Sequence, residues 1–154
     1  VETRLQEQFV AAFERFVTNT PSEAMMSYYF ATQLDGSFDA VIERTVAALK
    51  AEGFGVLTEI DVSATLKKKL DVAFRPYRIL GACNPPFAHK ALTAEDKIGT
   101  MLPCNVIVQQ LETGVEVAAV DPMASMQAID NPTLGEVAGQ VREKLQRVIA
   151  SLAE

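Results

Sequence analysis

The chain has 154 residues, of which 49% are apolar and 22% charged. That length suits one domain with its own core, and that composition excludes disorder, collagen and a disulfide-dense scaffold. A net charge of −6 argues against nucleic acid as a partner, because duplex affinity rests on neutralising phosphates; no apolar run approaches the ~18 residues that span a bilayer, so no membrane partner is expected.

Two cysteines, Cys83 and Cys104, are too few for a secreted disulfide framework and fit free thiols in a cytoplasmic protein. The chain begins at Val1 rather than Met, and a cleaved leader would leave no trace in it.

Leu5, Phe9, Phe13, Phe16 and Val17 recur at helical spacing and predict an amphipathic helix over Val1–Val17. Its other face mixes Glu2, Arg4, Glu7, Glu14 and Arg15, unlike the Lys/Arg-rich face of a membrane anchor. Thr18 to Ser22 reads as a linker. Residues 1–24 thus form a helix plus linker, and residues 25–154 a single domain.

Met25–Gln33 is apolar and aromatic and predicts a strand. Ser37 can cap a helix with the stripe Phe38, Val41, Ile42, Thr45 and Leu49, ending at Gly53. Phe54–Ile60 alternates and predicts a second strand. Ser63–Leu70 suits a short helix with Lys67, Lys68 and Lys69 towards solvent. Arg75–Ala82 predicts a third strand, with Pro76 confined to its start or to an edge. Asn84-Pro85-Pro86 fits a helix start, with Asn84 as cap and proline in the first turn. Thr93–Met101 is expected to be irregular or a single helical turn.

Asn105–Leu111 and Val115–Val120 flank Glu112-Thr113-Gly114 and predict a hairpin. The last helix starts at Asn131-Pro132, or one step later with Thr133 and Glu136 as a capping box. Its stripe is Val137, Val141, Leu145, Val148, Ile149 and Leu152. The hairpin spacing and element order predict an α+β fold with a mainly antiparallel sheet. One sheet face carries the two long helices. The other needs a cover, from the N-terminal segment or from a second copy.

Phe74-Arg75-Pro76-Tyr77-Arg78-Ile79-Leu80-Gly81-Ala82-Cys83-Asn84-Pro85-Pro86 followed by Leu102-Pro103-Cys104-Asn105-Val106 resembles the bacterial and archaeal family called domain of unknown function 302. Glu52-Gly53-Phe54-Gly55-Val56, Glu59-Ile60-Asp61, Ile98-Gly99 and Asp121-Pro122 support the resemblance. It implies a strand-helix-four strand-helix core of the TATA-box-binding-protein type, and a homodimer. It implies no activity and no catalytic residue. Kinship of fold with a DNA-binding protein is no reason to expect DNA binding.

Several residues could carry chemistry. Cys83 precedes a helix start, where free N–H groups favour a thiolate. Cys104 opens a strand 21 residues later, and both cysteines are followed by Asn. Facing each other, they could form a reversible disulfide or hold a soft metal, with His89 or Met101 as a further ligand. They are too few for the usual closed zinc site, so no metal is assigned. The plain alternative is two small buried residues at strand ends. His89, the only histidine, could act as a base near Cys83, or could simply be exposed.

Residues 62–98 hold seven cations against three carboxylates, a net of +4 inside an acidic chain. Arg75, Arg78, Asn84 and Asn105 are therefore the candidate contacts for a small anionic ligand, since Arg forks and helix-start N–H groups suit carboxylate or phosphate. Glu59 and Asp61 share a strand face and are expected to pair with Arg75 or Arg78. No phosphate loop, dinucleotide fingerprint or zinc-finger spacing occurs, so no cofactor is implied. The leading expectation is a dimeric module for a small anionic ligand. The alternatives are a thiol redox or soft-metal protein and a structural or protein-interaction module.

Overall fold

Short polar residues set most of the helix starts in residues 27–154, which the computed structural model describes. The helix and linker expected over residues 1–24 lie outside the described residues. Helix α1 (Phe38–Ala51) begins as expected, with the Ser37 hydroxyl accepting from the Ala40 N–H at 3.2 Å. Its stripe of Val41, Ile42, Thr45 and Leu49 is buried. The chain leaves α1 through Gly53 at φ +84°, a left-handed conformation that glycine adopts without strain.

Strand β1 (Tyr29–Leu34) precedes α1, and β2 (Gly55–Asp61) follows it. Asp61 caps α2 (Val62–Leu70), which starts one residue before the expected Ser63, and accepts from the Ala64 N–H at 2.9 Å. No residue of α2 is buried. Then come β3 (Tyr77–Cys83), α3 (Pro85–Ala94), a 3-10 helix (Asp96–Met101), β4 (Cys104–Leu111) and β5 (Gly114–Val120). Residues 93–101, expected to be irregular or one turn, thus extend α3 and form a further 3-10 segment. A short α4 (Pro122–Ser125) leads to α5 (Pro132–Leu152). Asn131 starts α5, its side chain accepting from the Thr133 N–H at 3.1 Å.

The order strand, helix, four strands, helix is therefore present, with short helices inserted, and the fold is α+β. All four strand pairings are antiparallel, in the order β1-β5-β4-β3-β2. Helix α1 connects the two edge strands and so crosses the whole sheet. Together with α5 it covers one face. Leu80, Val106, Val108, Val115, Val117 and Ala119 point there and meet Leu49, Leu145 and Val148. Among the described residues no helix is long and apolar enough to cross a membrane.

Antiparallel pairing gives the sheet two distinct ends. The β2–β3 connection, α2 and the β4–β5 turn lie at one. The ends of α1 and β3, the starts of β2, α3 and β4, and α4 after β5 lie at the other.

Candidate functional site

The second end holds both cysteines. Ala82 pairs with Cys104 across β3 and β4, so Cys83 lies one step along the neighbouring strand. Above them the helices do not close on the sheet. They leave a partly open cavity of about 270 Å³. Phe54 enters from the α1–β2 turn, Phe87 and Ala91 from α3, Leu102 from the 3-10 exit, and Val137 and Val141 from α5. Ala88, Ala91 and Leu92 follow one another at helical spacing, so one face of α3 forms the lid. Leu57 and Leu92 stand exposed at the rim.

Three groups with polar atoms touch this apolar wall: Cys83, Cys104 and Asn84. Cys83 is half-buried and Cys104 buried, and both are free thiols. Burial pushes the Cys104 thiol up to about 11, with a smaller push from Cys83 beside it. Cys104 is thus held as a neutral thiol, suited to packing rather than nucleophilic attack.

Asn84 stands at the cap position of α3, and its carbonyl accepts from the Ala88 N–H at 2.9 Å. Its side chain makes no cap bond, contrary to expectation. Instead Asn84 Nδ2 donates to the Glu52 carbonyl at 3.3 Å. Gly53 leaves room for that contact, since a Cβ there would lie 3.2 Å from Asn84 Nδ2. The helix start is also a poor anion site. Pro85 and Pro86 have no N–H, and Ala88 already bonds Asn84, leaving only Phe87.

The other predicted residues lie elsewhere. Arg78 is six residues from Asn84, and along a strand that is about 20 Å. Its guanidinium faces the helices, lies 5.9 Å from the Phe38 ring, and pairs with Glu59 and Asp61 as expected of those carboxylates. Arg75 Nε donates to Gln109 Oε1 at 2.9 Å, and its guanidinium lies over Phe74. The structure therefore does not bring Arg75 and Arg78 to the Cys-Asn corners. Asn105 alternates with Cys104 and lies on the opposite sheet face, which among the described residues α1 and α5 leave uncovered. His89 is exposed on the side of α3 away from the cavity lining, and Met101 is exposed. Among the described residues no group of three His, Cys, Asp or Glu could hold a metal. The basic segment is divided as well: Lys67–Lys69, Arg75 and Arg78 lie at one end, while Lys90 and Lys97 follow β3 at the other.

The sheet face opposite α1 and α5 bears a second, larger hollow of about 440 Å³, also partly open, lined by Tyr29, Tyr77, Asn105, Ile107, Gln109 and Glu116, among others. Gln109 Nε2 donates to Glu116 Oε1 at 2.9 Å, so Arg75, Gln109 and Glu116 form one chain of hydrogen bonds across it. The cavity lining from Phe54, Phe87, Ala91, Leu102, Val137 and Val141 escaped the sequence reading. Those residues look like ordinary core, and no local pattern tells a filled core from one with a gap.

The pattern of the family described as "Domain of unknown function DUF302" matches residues 30–152. The crystal structure of an uncharacterized conserved DUF302 protein from Bacillus stearothermophilus is similar, with a TM-score of 0.76 and 28% identity over 81% of this chain and 98% of that one. No curated protein matches the chain. The match takes in both Cys-Asn corners, the sheet and the closing helix, and on that extent the chain belongs to the DUF302 family.

Proposed function

We propose that the domain is a binding module for a small, mainly apolar ligand seated in the cavity at the Cys83–Cys104 end. The observation that carries this reading is a partly open space of about 270 Å³ whose wall is almost wholly apolar. Such a space is close to the lower size of small-molecule pockets, and an apolar lining of this kind accepts hydrocarbon. The basic middle segment suggests an anionic ligand instead. However, among the described residues no cation lines this cavity, and Arg78 is already neutralised by Glu59 and Asp61. Ligand character therefore follows the wall rather than the segment's net charge.

The test is a thermal-shift panel on the full chain, with benzene derivatives and short alcohols in one arm and inorganic phosphate and carboxylates at low salt in the other. The apolar arm raises the melting temperature and moves the amide resonances of Phe54, Ala91 and Val137. Arg78→Met leaves that response in place. Stabilisation by the anions alone, abolished by Arg78→Met, overturns the reading.

A second reading draws on Cys83 and Cys104 both lining this cavity. Here the two thiols exchange with glutathione disulfide, forming one internal disulfide and releasing two glutathione thiols. Cys83 is the more exposed and meets the oxidant first. Mass spectrometry of the oxidised chain reads the outcome: a Cys83–Cys104 cross-link supports it, and a stable mixed disulfide at Cys83 sinks it.

We also propose that the protein is a homodimer. A sheet face that the described helices leave uncovered and that bears Tyr29, Ile60, Ile79 and Ile107 supports the idea, because a sheet needs apolar cover on both sides when both sides are apolar.

A further inference from the structure

We infer that Asn84 Oδ1 is the polar anchor of the cavity, so that the ligand is a small neutral molecule with one hydrogen-bond donor: a phenol or a compact alcohol rather than a hydrocarbon, an ammonium or a carboxylate. This rests on the proposal that the cavity binds an apolar ligand. Asn84 is only 8% exposed, and it lines the cavity. Its Nδ2 is committed to the Glu52 carbonyl, and that bond sets which way the amide faces. Among the described residues, no donor reaches Oδ1. Yet the only side-chain nitrogen or oxygen there that is both sealed from solvent and without a partner is Arg78 Nε. Asn84 Oδ1 therefore keeps a contact with solvent, and the cavity is an open space that Asn84 borders.

That acceptor decides what can fill the space. A pure hydrocarbon would strip water from Oδ1 and leave it unpaired, at a penalty. A hydroxyl donates to it and removes the penalty. A carboxylate would set an anion against this oxygen, and an ammonium would have to leave water for a wall with no counterion. Cys83 and Cys104 add only weak donors and acceptors to the same wall.

The experiment titrates the full chain with benzene, phenol and anisole, followed by the resonances of Ala91 and Val137. Anisole keeps the oxygen of phenol and lacks its donor. Phenol is expected to bind about tenfold more tightly than anisole, the effect of one added hydrogen bond. Asn84→Leu is expected to erase that preference while keeping benzene binding. The probe comparison needs no variant, so it stands even if Asn84→Leu fails to fold. Equal binding of phenol and anisole overturns the anchor and leaves the apolar-cavity reading intact. No binding of any of the three overturns both.

Discussion

At Cys104 burial acts on both packing and charge. Its thiol titrates near 11 in the fold, above the ordinary 9.0, because desolvation disfavours the thiolate. A raised folded pKa stabilises only while the group is protonated. The contribution is complete below about pH 9 and is lost as pH rises towards 11. Urea melts from pH 7 upwards should therefore lose stability over that window, and Cys104→Ala should flatten the loss. At neutral pH a thiol reagent should label Cys83 first and Cys104 only on unfolding. A second residue-scale constraint sits at Gly81. A Cβ there would overlap Thr58 Oγ1 and lie 2.8 Å from Pro103 Cγ. Gly81→Ala should destabilise by about 1–3 kcal/mol in denaturant melts, the usual cost of overpacking. Thr58→Gly in the same chain should recover part of it. The glycine is visible in the sequence, but the Thr58 and Pro103 side chains beside it become neighbours only once β2, β3 and β4 are paired.

Between elements, ion pairs do the tying. Glu52 ends α1, and its carboxylate takes a two-pronged contact from Arg147 on α5, with Lys144 Nζ 3.9 Å away. The hydrogen bonds from Arg147 hold the Glu52 carboxyl below its ordinary 4.5, its partial burial opposing them. A depressed folded pKa stabilises above the unfolded value, and that stability is lost as pH falls through the lower folded one. Glu52→Gln should therefore make stability less steep in pH on the acid side, read by melts below pH 5 or so. At the other end, Arg78 separates two carboxylates on alternate residues of β2. With its side chain 26% exposed, its removal should cost about 1 kcal/mol in Arg78→Met, a surface-pair magnitude, measured by urea melts. The Glu59–Asp61 spacing made this pairing legible in advance. Glu52 with Arg147 was not, because 95 residues separate them and neither carries a local pattern.

For the whole molecule, the uncovered face is the open question that solution measurement answers. Sedimentation should give a dimer, and Ile107→Lys should shift it to monomer, since a lysine there must be buried or the interface must part. Deleting residues 1–24 should leave the dimer in place if a second copy covers the face. A loss of the dimer on that deletion would assign the cover to the Val1–Val17 stripe instead.

Apolar stripes, aromatic content and turn spacing were enough to identify every strand and the longest helices of residues 27–154, because these are local properties of the chain. Caps such as Ser37 and Asn131, and the glycine exit at Gly53, were legible for the same reason. Tertiary structure alone decided which ends meet. Arg78 and Asn84 are near in sequence but stand at opposite ends of an extended strand, whereas Cys83 and Cys104, 21 residues apart, come together because an antiparallel partner returns. The cavity belongs to that second category. A gap is what several elements jointly fail to fill, and no single stretch of sequence records it.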